Sequence, residues 1–120
     1  TVLFEYLERC RMANEEQPLT FFEGTTAAAL LAFSEVKADV VLLETGMGGL
    51  LDPTNIILPP RLAIITAISF DHMEYLGESL EEIAAHKAGI IKEETTTIVS
   101  FQPESVHKVI AQQAEKMGAP

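Results

Sequence analysis

The chain lacks the features of a secreted, nucleic-acid-binding or membrane protein. Its single cysteine, Cys10, excludes an internal disulfide, which predicts a reducing, cytoplasmic location. It has 8 basic against 18 acidic residues, and its net charge of −10 argues against the basic patch that nucleic acids and anionic membrane surfaces require. No apolar run is long enough to span a bilayer. With 48% hydrophobic and 22% charged residues, the composition is typical of a globular domain.

A second absence concerns nucleotide binding. The sequence contains no GxxxxGK[ST] phosphate loop, the segment that usually cradles nucleotide phosphates. The chain also begins at Thr1 inside a segment with helical spacing of apolar residues. We therefore expect residues 1–120 to be a single partial domain of a longer enzyme.

Helical signals occur in four segments. The best defined are two capping boxes, Thr20 with Glu23 and Ser79 with Glu82, in which each side chain caps the backbone of the other. Together with the apolar spacing, they predict helices at about 2–12, 21–36, 79–91 and 103–117.

Strand signals alternate with these helices. The apolar runs are Val40–Leu43, residues 61–68 and Thr96–Ser100. They lack strict alternation of polar and apolar residues, which is expected of parallel strands covered on both faces. We predict an α/β fold, with a mostly parallel sheet of three or more strands and helices on both faces.

Residues 45–60 form an unusually long connection that is rich in glycine and proline. A long connection inside a compact domain is usually functional or disordered, although Ile56-Ile57-Leu58 could add a small strand. Glu44 ends the strand before this loop, and Asp71 and His72 follow the next strand. Since ligands of open α/β sheets collect at the carboxyl ends of strands, we expect these side chains to face one crevice.

Each of these residues also has a structural explanation. The stretch Gly46-x-Gly48-Gly49 is not a dinucleotide fingerprint, because Leu51 and Pro53 supply neither the next glycine nor an immediate helix. Its glycines could simply shape a turn. Glu44 could cap a helix, and His72 could be a hydrogen-bonded loop histidine rather than a metal ligand.

Lys87 lies on the apolar stripe of its predicted helix, together with Leu80, Ile83, Ala84 and Ile91. Its stem could pack while the ammonium reaches water. Alternatively, burial would lower its pKa and leave more of the neutral amine, which can take up carbon dioxide and become a carbamate. That reaction would convert a cation into an oxygen ligand for a metal.

Three motifs closely resemble folylpolyglutamate synthase/dihydrofolate synthase, a family of the Mur ligase superfamily. They read ETGMGGLLDPTN at 44–55, ISFDHMEYLG at 68–77 and EIAAHKAGIIK at 82–92. The resemblance implies a P-loop-type Mur ligase central domain, of which this chain would be the C-terminal half. The phosphate loop would then lie upstream of Thr1 and a further domain downstream of Pro120.

The resemblance further implies an ATP-dependent amide ligase that joins glutamate to a folate or dihydropteroate carboxylate through an acyl phosphate. By motif, Glu44 and His72 match Mg²⁺ ligands, and Lys87 matches a carbamylated lysine that would complete the catalytic and metal site. The matching cofactor-binding loop positions are Gly48, Gly49, Asp52 and Asn55.

Two residues depart from the family pattern: Leu50 stands where arginine is usual, and Pro53 where alanine is usual. The alternatives are another Mur-type ligase acting on a cell-wall precursor, or a non-catalytic α/β binding module. We expect the chain to be inactive alone and to self-associate through exposed apolar surface.

Overall fold

The structure is a computed structural model that describes residues 1–57 and 59–120. The chain forms two compact units, Thr1–Glu44 and Thr45–Pro120. In the described part of the chain, every helix is too short or too polar to cross a membrane.

The first unit is a pair of helices, α1 (Val2–Ala13) and α2 (Phe21–Glu35). The predicted capping box of Thr20 and Glu23 is present at the start of α2. The helices pack together and are joined at the surface by two hydrogen bonds of 3.0 and 2.6 Å from the guanidinium of Arg9 to the carboxylate of Glu35. Both predicted helices are confirmed within two residues.

The strand predicted at Val40–Leu43 is wrong, because this segment has no strand assignment. A strand needs a neighbour to bond its backbone groups, and among the described residues the sheet consists of two other segments. The apolar side chains of Val40–Leu43 are accordingly exposed, and Leu42 is 89% exposed.

The second unit contains that sheet. Strands β1 (Ala63–Ile65) and β2 (Thr97–Val99) pair in parallel, with Ala63 opposite Thr97 and Ile65 opposite Val99. The connection between them carries two helices, α3 (Met73–Leu76) and α4 (Leu80–Ala88), and α5 (Glu104–Met117) follows β2. The parallel pairing is confirmed. The prediction of three or more strands is wrong for the described residues.

Within the second unit, one face of the sheet packs against helices. Ala63 and Ile65 are buried, whereas Ile64 and its register partner Ile98 are 58% and 53% exposed. Within this unit, helices cover the face that carries Ala63 and Ile65, and the prediction that helices cover both faces of the sheet stays a prediction.

The core lies between that covered face and helices α4 and α5. It contains Ile65, Ile68, Leu76, Ile83, Ala84, Ala88, Ile91, Val106 and Ile110. Burying one such isoleucine stabilises the fold by about 1.5–3 kcal/mol, so this cluster fixes how α4 sits on the sheet.

The helix ends follow their capping residues. Ser79 and Glu82 form the predicted capping box of α4, and Gly118 ends α5 in the left-handed conformation (φ 59°). The helix α4 ends at Ala88, earlier than the predicted residue 91. Ile56 closes a short 3₁₀ helix (Pro53–Ile56) rather than a strand, and Leu58 lies outside the described residues.

Candidate active site

The glycine-rich loop is organised around the carboxylate of Asp52. Its Oδ2 accepts hydrogen bonds from the backbone N–H groups of Gly46 (2.9 Å) and Met47 (2.8 Å). Its Oδ1 accepts from the backbone N–H and the hydroxyl of Thr54. Asp52 is 6% exposed, so these bonds replace those that water would make. This side chain therefore holds both ends of the loop together.

The same bonds control the charge of Asp52. Burial works to raise its pKa, but the Thr54 hydroxyl and the backbone N–H groups of Met47, Thr54 and Gly46 outweigh burial and lower the pKa from its ordinary value. Each donor favours the ionised form. The carboxylate is therefore a permanent anion at neutral pH, with its oxygens engaged by the loop itself.

Gly48 and Gly49 allow the loop to press against the end of α4. Gly48 is buried and has φ +67°, a conformation that favours glycine. At Gly49 an added Cβ would lie 2.8 Å from the carbonyl oxygen of His86 and 3.0 Å from that of Lys87. The loop backbone thus occupies space that any larger residue would need.

The last turn of α4 has carbonyl groups that no helical N–H can reach, as every helix end has. The backbone N–H of Leu50 donates to the carbonyl of His86 at 2.8 Å. The carbonyl of Gly89 accepts from the side-chain amide of Asn55 at 3.1 Å and from Nζ of Lys92 at 2.9 Å. The loop therefore docks on the end of α4 through donors from Leu50 and Asn55, and the carbonyl of His86 also accepts a 3.2 Å bond from the backbone N–H of Gly89.

Lys87 lies in this last turn of α4. Its stripe neighbours Ile83, Ala84 and Ile91 are buried, whereas Lys87 itself is only partly buried. The predicted position on the apolar side is confirmed, but the side chain lies at the rim of the core. Its backbone carbonyl faces Gly49, so the loop and the lysine-bearing turn are parts of one packed unit.

His72 begins α3 in a left-handed backbone conformation, with φ 49° and ψ 37°. Its backbone N–H donates to Oδ1 of Asp71 at 2.8 Å, and its imidazole Nε2 lies 3.7 Å from Oδ2 of Asp71. Both side chains are exposed, at 49% and 72%. A histidine in this conformation is uncommon and costs about 1–2 kcal/mol, and such strain is often found at functional sites.

Glu44 is exposed and immediately precedes the loop, as the last residue of the first unit. Among residues 1–57 and 59–120, no group of three or more His, Cys, Asp or Glu side chains could hold a metal ion. This sparse donor set does not fit a closed protein cage. Mg²⁺ does not require such a group, because it keeps several waters and binds through one or two carboxylates plus substrate phosphates.

The structure therefore brings together Gly48, Gly49, Asp52, Asn55 and the turn of Lys87. The site roles of these residues, and those of Glu44 and His72, stay predictions. Sequence reasoning missed that Gly89 is a packing position, where an added Cβ would lie 2.5 Å from Cα of Leu50. The signal was available, because a glycine just after a helix that faces a glycine-rich loop indicates close approach.

Comparison with protein-family models matches residues 4–119 to the Mur ligase middle domain. The chain belongs to this family. Similar curated proteins are the dihydrofolate synthase/folylpolyglutamate synthases of Bacillus subtilis (48% identity over 117 residues) and Haemophilus influenzae (39% over 133 residues). Each alignment covers 96% of this chain, but only 26% and 30% of the respective relative. The chain thus spans less than a third of these relatives.

Solved structures agree with this family assignment. Escherichia coli FolC in complex with DHPP and ADP matches with a TM-score of 0.90 and 38% identity, over 98% of this chain and 28% of that one. An FPGS–AMPPCP–folate complex matches with a TM-score of 0.85 and 33% identity, over 95% and 28%. The predicted resemblance and the α/β fold class are confirmed by these matches.

Proposed function

We propose that this chain is part of an ATP-dependent carboxylate–amine ligase that adds glutamate to a folate or dihydropteroate carboxylate. The observation that carries the proposal is the likeness, over 98% of this chain, to a FolC structure containing DHPP and ADP. The chain would supply half of the central ATPase domain. Its cofactors would be ATP and Mg²⁺, and its location cytoplasmic.

The proposed reaction has two steps. The substrate carboxylate attacks the γ-phosphorus of ATP, giving an acyl phosphate and ADP. The amine of glutamate then attacks the acyl carbon, phosphate leaves, and an amide forms with loss of a proton. Magnesium, when bound, neutralises charge on the transferring phosphoryl group.

The residues of this chain would mainly hold the metal ion and the phosphates in position. By their match to the family motifs, Glu44 and His72 would hold the metal. The loop of Gly48, Gly49, Asp52 and Asn55, locked on α4, would fix where the phosphates lie. Because the loop bonds are already made, little ordering is left for the moment of reaction.

Lys87 would act after modification. Its neutral amine nitrogen would bond to the carbon of CO₂, one C–O electron pair would move onto oxygen, and the ammonium proton would pass to water. The product carbamate has an anionic oxygen, the donor type that magnesium prefers. Lys87 is only partly buried, so its side chain is not closed off from dissolved CO₂.

The test is a ligase assay on a full-length protein that contains this chain. Purified enzyme is incubated with ATP, Mg²⁺, glutamate and either dihydropteroate or reduced folate, and the glutamylated product is measured by mass spectrometry. We expect product only when ATP and Mg²⁺ are both present, and its loss in Glu44→Ala but not in Glu115→Ala, an exposed control. Turnover only with a muramyl acceptor, or none with either pterin, would refute the proposal.

A further inference from the structure

Gln102 is a buried polar residue in a part of the chain to which no site role has been assigned. It follows β2, between exposed Phe101 and Pro103, and is itself 6% exposed. Its side-chain Oε1 accepts a 3.0 Å hydrogen bond from the backbone N–H of Ile68. Its Nε2 donates a 2.8 Å bond to the backbone carbonyl of Thr66.

These bonds continue the strand pairing past the end of β1. The backbone N–H of Ser100 donates to the carbonyl of Ile65 at 2.9 Å, and β1 ends at that residue. Beyond it, one amide side chain supplies both a donor and an acceptor, as the peptide groups of a neighbouring strand would. Residues 66–68 are therefore fixed to the end of β2 without being part of the sheet.

The segment fixed in this way leads directly to Asp71 and His72. Ile68 is buried in the core, and three residues later the chain reaches the exposed carboxylate of Asp71 and the strained backbone of His72. Exposed side chains such as these have few packing contacts of their own to define their position. Their placement therefore depends on the last anchored residues before them, which Gln102 holds.

We infer that Gln102 is a positioning residue that sets the location of the Asp71–His72 segment, so that His72 can take part in binding a divalent cation with nucleotide phosphates. The inference rests on the proposed function for the identity of the ligand. At neutral pH this positioning role requires an amide at residue 102. Only a group that both donates and accepts a hydrogen bond satisfies the backbone groups of Thr66 and Ile68.

The substitutions are chosen to separate hydrogen bonding from packing. Gln102→Met keeps the length and removes both bonds, whereas Gln102→Glu keeps the shape and at neutral pH replaces the donor with an anionic oxygen facing the carbonyl of Thr66. Exposed Gln112→Met is the matched control. All are made in a full-length protein containing this chain, and folding is checked by circular dichroism.

Two readouts do not require turnover. Amide hydrogen exchange follows the peptide covering residues 66–72, and Mn²⁺ binding in the presence of a non-hydrolysable ATP analogue is measured by electron paramagnetic resonance. We expect faster exchange in this peptide and a Mn²⁺ affinity about 10-fold weaker in Gln102→Met, the usual cost of removing an outer support of a metal site. Gln112→Met should match the wild type in both measurements.

The pH dependence of Gln102→Glu gives an independent check should Gln102→Met fail to fold. A protonated carboxyl can donate to Thr66 and accept from Ile68, as the amide does. The ratio of variant to wild-type Mn²⁺ affinity should therefore rise toward one as pH falls.

Lower thermal stability with unchanged Mn²⁺ affinity and an unchanged pH ratio would overturn the inference and leave Gln102 a packing residue. Absence of ligase activity in the wild type, with these metal-binding effects present, would instead count against the proposed function alone.

Discussion

The side-chain amide of Asn55 donates a 3.1 Å hydrogen bond to the backbone carbonyl of Gly89, 34 residues further along the chain. The same nitrogen lies 3.1 Å from the carbonyl of Leu50 within the loop. One side chain therefore ties the glycine-rich loop both to itself and to the end of α4. Asn55, a residue of the first motif, therefore helps to build the surface of the loop.

Replacing Asn55 by alanine should loosen this connection. Asn55→Ala leaves two carbonyl groups without this partner, and we expect the free energy of unfolding to fall by about 1–3 kcal/mol. Urea denaturation followed by far-ultraviolet circular dichroism suits this measurement, because the chain has no tryptophan. Gln112→Ala removes an exposed amide and should change stability by less than about 0.5 kcal/mol. Equal effects of the two substitutions would contradict the assigned role of Asn55.

Gly89 should tolerate no side chain. A Cβ added there would lie 2.5 Å from both Cα and Cβ of Leu50, so Gly89→Ala must push the loop away from α4. We expect a loss of about 1–3 kcal/mol in thermal or urea unfolding. Gly24→Ala is the matched control: none of the described residues comes within 4 Å of its added Cβ, and inside α2 the change should stabilise by about 0.5–1 kcal/mol. A stabilising Gly89→Ala would show that the loop does not pack as described.

Asp52 should make stability depend on acid pH. Its folded-state pKa is lowered, because the hydrogen bonds from Thr54, Met47 and Gly46 outweigh burial. Its contribution is therefore fully present above the unfolded pKa of about 3.9 and is lost as pH falls through the lower folded pKa. The stability gap between wild type and Asp52→Asn should stay constant above about pH 5 and shrink below about pH 4. A gap that widens in acid would mean the opposite shift.

Substitutions of His72 should affect stability and activity independently. Because His72 has φ 49°, His72→Gly relieves backbone strain and should change stability by less than about 1 kcal/mol, whereas His72→Val should lower it by about 1–2 kcal/mol. Both should abolish ligase activity in a full-length protein if the imidazole binds the metal. Glu94, with φ 56°, is the control, since Glu94→Gly and Glu94→Val should repeat the stability pattern with activity intact.

Lys87 should be irreplaceable by arginine. Arginine stays charged and cannot form a carbamate, so Lys87→Ala and Lys87→Arg should both lose activity while remaining folded. A small carboxylic acid should restore part of the activity of Lys87→Ala, by occupying the vacated oxygen position, and none to Lys87→Arg. Lys116→Ala, an exposed control, should be fully active. Full activity of Lys87→Arg would rule out the carbamate.

Short-range sequence signals predicted the features that depend on neighbouring residues alone, such as the helix starts. The capping boxes that begin at Thr20 and Ser79 predicted the starts of α2 and α4 to within one residue. Their hydrogen bonds join residues only three positions apart. The motif spacing likewise predicts which loop and helix carry the site, and the structure packs that loop against the end of that helix.

Tertiary relationships were not predictable in the same way. Val40–Leu43 has every local property of a strand, but a strand depends on a partner that its own residues do not specify. Gln102 gave no signal at all, since a single glutamine between a strand and a proline looks like any loop residue. Its importance arises only from the backbone groups of Thr66 and Ile68 that it meets.

The bond between Asn55 and Gly89 also has a consequence for the order of folding. Closing a segment of 34 residues costs more chain entropy than forming any single helix turn. The hydrogen bond that offsets this cost can form only when α4 already presents the carbonyl groups at its end. On a ribosome, the glycine-rich loop emerges well before that helix end does. The loop would therefore remain without its final shape until the later segment has been synthesised and has folded against β1. The glycine-rich loop would then be among the later parts of the domain to fold.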